Sequence, residues 1–190
     1  MKKIFIMLIM LAMPMLLAAQ FKLTANGIQT EDGKDFIVEQ VKGTQKQLFQ
    51  RTKTVLTSML KSRDYDLKYN EPDIIIVTCE GMKVAKDYLA GIKDKYSANW
   101  SIEIKFKPNR IRIDAPTLSS LKCRHSIIEI GKGSALSVNT SLNRKGHLFK
   151  DDGEIREKDM VDQINKHFDE FLGELISRVK NYETSEENNW

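Results

Sequence analysis

Between Trp100 and Pro116, apolar and polar side chains alternate one by one, and that alternation admits a single strand pairing. Ile102, Ile104 and Phe106 are separated by Glu103, Lys105 and Lys107. Past Pro108-Asn109, Ile111 and Ile113 are separated by Arg110, Arg112 and Asp114. Successive side chains of a strand point to opposite faces, so each arm has one apolar and one charged face. Pro-Asn is turn chemistry, and the two arms read as an antiparallel hairpin. An even loop sets Phe106 opposite Ile111 and Ile104 opposite Ile113, whereas an odd loop would oppose apolar to polar on both faces. The hairpin must then lie on a core, with Lys105, Lys107, Arg110 and Arg112 sharing the outward face.

The rest of the chain offers what would cover the apolar face. Thr44 and Gln47 form a capping box, after which Leu48, Thr52, Val55, Leu56, Met59 and Leu60 recur at helical spacing. A second helix is expected from about Arg156 to Lys180. Its stripe is Met160, Ile164, Phe168, Phe171, Leu175 and Val179, widened by Leu172 and Ile176. Lys34 to Lys42 reads as a strand, preceded by the turn pairs Asn26-Gly27 and Asp32-Gly33 and stopped by Gly43-Thr44. Ile74 to Val77 is a β-branched block with both faces apolar, which suits a central strand covered on both sides for part of its length. Met82 to Tyr96 fits a helix through Val84, Tyr88 and Ile92, and fits a bent strand and loop equally well. Ile127, Ile128 and Ile130 suggest one more short strand, while Ser134 to Gly146 is polar and carries no period. Strands bracketed by helices indicate an α+β fold rather than alternating βαβ units. The expected architecture is a curved antiparallel sheet with two long amphipathic helices packed on one face.

Residues 1–19 stand apart from this fold. Lys2 and Lys3 precede an apolar run from Ile4 to Leu17, broken by Pro14, and Ala18-Ala19 supply small residues before Gln20. That is the layout of a secretory signal peptide cut between Ala19 and Gln20. The run is shorter than the ~20 residues a membrane span needs, and no Cys follows it to carry a lipid. The expected organisation is a signal peptide over 1–19, one α+β domain over 20–181 and a disordered polar tail over 182–190. The mature chain is expected to be periplasmic or secreted, with no transmembrane span. The whole chain has 30 Lys and Arg against 26 Asp and Glu, and Lys2 and Lys3 leave with the leader. So balanced a mature chain makes no electrostatic case for a nucleic-acid partner.

Several segments resemble a domain family of unknown function described as having a TBP-like fold. They are Val41-Lys42-Gly43-Thr44, leading into a helix with Gln47-Leu48-Phe49, the Trp100-to-Asp114 hairpin, and Leu148-Phe149-Lys150-Asp151-Asp152-Gly153, leading into a helix with Ile164-Asn165-Lys166-His167-Phe168. The resemblance runs from about Ile28 to Lys180 and is thinnest over 115–146. The family occurs in secreted proteins of Gram-negative bacteria. The resemblance implies the fold and an exported location, with no DNA binding and no catalytic residues to carry over.

Cys79 and Cys123 are an even pair in a chain bound for an oxidising compartment, and a disulfide between them is one expectation. Two separate thiols, one buried in the sheet, is the other. Cys123, His125, Cys79 and His147 have none of the spacings of a zinc site, so no metal is expected. Nothing marks a cleft and an orienting group for a Cys123–His125 nucleophile pair. Gly131-Lys132-Gly133-Ser134 lacks the spacing of a phosphate loop and reads as a turn. No cofactor is implied. The parity register places Lys105 opposite Arg112 and Lys107 opposite Arg110. Like charges so opposed are unfavourable unless an anion or an acidic neighbour such as Glu39, Glu103 or Glu129 balances them. The expected role is non-catalytic binding or assembly in the bacterial envelope through the open sheet face. Its partner would be an envelope component, anionic if those cations are used: a glycan, a lipid head group or an acidic protein. The rival is a hydrolase-like envelope enzyme with its site in residues 115–146.

Overall fold

A computed structural model describes residues 21–61, 65–89, 92–139 and 143–182. The expected signal peptide and its cleavage site lie outside the described residues, as does the expected tail from 183 onward. In chain order the elements are β1 (Phe21–Thr24), β2 (Gly27–Thr30), β3 (Phe36–Gln40), α1 (Gln45–Leu60), β4 (Tyr65–Asn70), β5 (Ile74–Leu89) and β6 (Ile92–Lys107). They continue as β7 (Arg110–Asp114), β8 (Thr117–Leu118), β9 (Leu121–Cys123), β10 (Ser126–Lys132), β11 (Ser137–Val138), β12 (Arg144–Phe149) and α2 (Lys158–Lys180).

Strand β6 organises the sheet. One flank pairs with β5 from Ile74 opposite Lys105 to Leu89 opposite Ile92. The other flank is divided. Ser97 faces Lys122 of β9, Trp100 and Ser101 face β8, and Ile104 to Lys107 face β7. Outside these, β4 lies against β5 and β3 against β7, and β10, β12 and β11 follow β9. Phe106 stands opposite Ile111 and Ile104 opposite Ile113, the register that parity requires.

Both helices pack on the face to which Trp100, Ile102, Ile104 and Phe106 point. Phe168 and Phe171 of α2 meet Trp100 edge-on, with ring centres 5.7 and 5.1 Å apart. Phe49 of α1 meets Phe106 in the same way at 5.6 Å. Such edge-to-face pairs suit the charge distribution of aromatic rings. The Thr44–Gln47 capping box closes in both directions and starts α1 where the sequence places it. Leu48, Thr52, Val55, Leu56 and Leu60 are buried along α1, and Met160, Ile164, Phe168, Phe171, Leu175 and Val179 along α2.

The structure departs from the sequence reading at several places and decides one that it left open. The sheet is mixed, because β12 runs parallel to β10. The chain reverses once into β11 and again into β12, and two reversals restore the original direction. Ile75 and Val77 are buried under the helices, but Ile74 and Ile76 are only half-buried on the opposite face, so the β-branched block is not covered on both sides. Of the segment left open between helix and bent strand, Met82 to Leu89 and Ile92 to Tyr96 are strand, forming the far ends of β5 and β6. Register shifts between Cys79 and Met82 and between Lys83 and Ala85 break the two-residue period there. Ser134 to Gly146 contains β11 and the start of β12. A Cβ on Gly146 would lie 2.7 Å from the Ala135 carbonyl oxygen, so this strand is specified by a close backbone approach rather than by an apolar face. Tyr182, assigned to the tail from sequence, packs against the core.

Phe168 is 1% exposed and touches Trp100 at the centre of the sheet. Replacing it with Ala is expected to cost about 3–5 kcal/mol, read as a shift in the denaturation midpoint. A shift within the range of an exposed substitution would show that α2 does not close the core.

Candidate functional site

Away from the helices, the outward side chains of β3, β7 and β6 form a ladder. Val38 lies opposite Arg112, which lies opposite Lys105; Gln40 lies opposite Arg110, which lies opposite Lys107. The four cations singled out from sequence are thus brought together. With Phe36 and Val38 they line one open groove of about 320 Å³. Val38 is 46% exposed, a large apolar side chain left facing water.

The two cation pairs differ in their surroundings. Lys105 Nζ lies 2.8 Å from Asp114 Oδ2 and 2.9 Å from Glu103 Oε1. Arg112 Nε donates to Asp114 Oδ1 at 2.5 Å, and its guanidinium sits 3.9 Å from the centre of the Phe36 ring. Burial pushes the Asp114 carboxyl up, but its bonds to Lys105 and Arg112 outweigh burial and hold it below its ordinary value. The same bonds from Asp114 and Glu103 raise Lys105. Asp114 thus balances a like-charge pair that sequence reasoning left to Glu39, Glu103 or Glu129. Of these only Glu103 takes part; Glu39 bonds Lys180 of α2 at 2.8 Å and Glu129 is exposed on β10. The signal for Asp114 was present, because alternation puts it on the same face two residues past Arg112. Lys107 and Arg110 are exposed at the hairpin tip, and among the described residues no ion pair reaches them.

That tip is anchored. Asn109 has a φ of 61°, a left-handed conformation that Asn tolerates after Pro108. Its amide donates to the Gly43 carbonyl at 2.9 Å, and its side-chain oxygen accepts from the Gly43 amide at 3.0 Å. Gln45 donates to the Phe106 carbonyl at 3.0 Å and to Asp73 at 2.8 Å. Lys107 and Arg110 are therefore carried by a turn tied to the start of α1.

The other candidate residues do not converge. Cys79 and Cys123 are unbridged. Cys79 is buried on β5 opposite Trp100, while Cys123 ends β9, beyond β6. Two strand spacings of about 4.8 Å already exceed the ~7 Å Cα separation a disulfide allows. Burial, followed by the Asp94 charge, pushes the Cys123 thiol up, which disfavours the nucleophilic thiolate. His125 is exposed at the β9–β10 turn, and His147 lies 3.5 Å from the Ser134 hydroxyl. Among the described residues, no group of His, Cys, Asp and Glu is placed to hold a metal ion, and no helix is long and apolar enough to cross a membrane.

Two features escaped the sequence reading. Arg144, 9% exposed, pairs with Asp87 of β5 and with Glu157 at 3.3 Å, tying β12 to β5 and to the residue preceding α2. A second hollow, of about 410 Å³, lies between the far ends of β5 and β6 and α2, with Lys83, Lys86, Lys95 and Lys166 on its rim. Both depend on strand assignments in 82–89, 92–96 and 144–149 that no periodicity announces.

No family model matches the chain, and no curated protein matches it. Two solved structures are similar. One is a DUF4468 family protein from Bacteroides ovatus, with a TM-score of 0.54 and 13% identity over 78% of this chain and 86% of that one. The other is a TBP-like protein from Parabacteroides distasonis, with a TM-score of 0.47 and 11% identity over 78% and 92% of the two chains. The first shows the fold alone: an α+β chain with a large sheet and two helices, in keeping with the resemblance read from the residues.

Replacing Asp114 with Asn separates the internal balance of charge from the open cations. The depressed carboxyl contributes stability above its ordinary value of 3.8 and loses it as pH falls through the lower folded value. The variant is expected to be less stable at neutral pH, with the difference shrinking below pH 3.8. Thermal melts across pH check this, and a gap that persists in acid would contradict the assignment.

Proposed function

We propose that this chain is an exported, non-catalytic recognition module of the bacterial envelope. It is cleaved between Ala19 and Gln20, acts in the periplasm or outside the cell, and binds an anionic group on the outward face of the 100–116 hairpin. The observation that carries this reading is the groove itself. Lys107 and Arg110 are fixed at its end by the Asn109–Gly43 bonds, and the half-buried Phe36 and exposed Val38 form its wall. Lys105 and Arg112 are held by Asp114 and Glu103 and set the shape of the floor, so Lys107 and Arg110 supply the unneutralised charge. A curved sheet covered on one side by two amphipathic helices suits this role, because its other side is left to a partner. The raised Cys123 thiol, and a register that sets His147 opposite Glu129 while His125 lies in the β9–β10 turn, speak against a hydrolytic site in residues 115–146.

Intact mass of protein from the envelope fraction tests export. A mature form beginning at Gln20 is expected, and one retaining Met1 to Ala19 would refute cleavage. The binding face is tested by affinity capture from the native envelope across a salt series. Exposed charges are screened over ~8 Å at physiological ionic strength, so capture should weaken as salt rises. Lys107→Gln with Arg110→Gln should remove the salt-sensitive partners. If the double variant captures the same partners with the same salt dependence, the basic face is only a solvated surface.

A further inference from the structure

We infer that the free edge of β3 accepts an extended, acidic segment of a partner protein as an added strand. This rests on the reading of the basic face above and names the class of partner. Among the described strands, β3 pairs only with β7. The direction of its backbone groups follows from two bonds at its ends. The Ala115 amide donates to the Asp35 carbonyl at 2.7 Å, and the Val41 amide donates to the Asn109 carbonyl at 3.1 Å. In an antiparallel pair, residues that exchange hydrogen bonds alternate with residues that point away. Residues 35, 37, 39 and 41 therefore face β7, and Phe36, Val38 and Gln40 turn their N–H and C=O groups to the open side. Among the described residues, no backbone bond reaches those groups.

Exposed edges are commonly blunted by Pro, Lys, brevity or a bulge. β3 reads Phe-Ile-Val-Glu-Gln and pairs in unbroken register, with none of these devices inside it. The far edges differ, because β4 alternates through the exposed Asp66, Lys68 and Asn70, and β11 has only two residues. Two of the three open β3 residues, Phe36 and Val38, also line the groove. A strand added beside β3 would lay alternate side chains over Phe36 and Val38, toward Arg110 and Lys107. Main-chain pairing would supply affinity, and the cations would select acidic side chains. A second copy of this chain would instead bring its own Arg110 and Arg112 onto the same face, where like charges repel. Charge complementarity therefore favours an acidic segment.

The test is selection of short random peptides on the mature full-length chain, followed by titration of the enriched peptides. Enriched sequences should lack Pro and carry Asp or Glu at alternate positions. Methylating alternate backbone nitrogens of such a peptide should weaken it about tenfold or more, because several backbone bonds are lost. Val38→Pro should do the same from the other side, since the Val38 N–H points outward and its loss removes no β3–β7 bond. Three outcomes overturn the inference: no enrichment, enrichment without acidic alternation, or binding indifferent to methylation. If Lys107→Gln with Arg110→Gln weakens binding but methylation does not, the basic face stands and the edge does not. Self-association abolished by Val38→Pro would assign the edge to a second copy instead.

Discussion

The alternation of β6 is the constraint on which the rest of the structure depends. Its inward residues, Trp100, Ile102, Ile104 and Phe106, receive the aromatic rings of both helices and pin β5 on one flank and three shorter strands on the other. Its outward residues, Glu103, Lys105 and Lys107, cannot change face without exposing that core, because a slip of one residue inverts every side chain. The charged face is thus a consequence of the core. A cation at 105 must stand opposite a cation at 112 once Ile104 stands opposite Ile113, and Asp114 compensates for that pairing.

Where periodicity was intact, the fold was legible. The hairpin register and the stripes of both helices could be read from spacing alone, since each reports burial at a fixed angular interval, and the start of α1 from the hydrogen-bonding pattern of Thr44 and Gln47. Legibility failed where the structure is set by backbone rather than side-chain pattern. Val84, Tyr88 and Ile92 recur every four residues, which suits a helix, while the register shifts in β5 break the two-residue period that would have announced a strand. In β12, Gly146 lies so close to the Ala135–Leu136 backbone that no side chain signals the strand. Of the two readings of the cysteines, the structure shows separate thiols, with Cys79 buried; that β9 sits beyond β6 is a fact of topology, and cysteine count cannot foresee it.

The candidate site was half legible. Its four cations were placed on one face by parity, but which of them carry free charge depends on partners. Asp114 and Glu103 take up Lys105 and Arg112, and the ring of Phe36 supports the Arg112 guanidinium. Phe36 and Val38 entered the site only because β3 pairs with β7, a contact between segments some seventy residues apart. The result is a groove with a neutralised floor, an apolar wall and a cationic tip, placed next to an open strand edge.

Hydrogen–deuterium exchange across the whole chain tests most directly whether recognition runs through this face. In the free protein, the amides of Phe36, Val38 and Gln40 should exchange fast while those of Ile37 and Glu39 exchange slowly, as the β3–β7 ladder dictates. On addition of a selected acidic peptide, protection should appear at those three amides and around Lys107 to Arg110, with residues 117–139 unchanged. Protection confined to 117–139, with β3 unaffected, would contradict the account and place the contact elsewhere on the molecule.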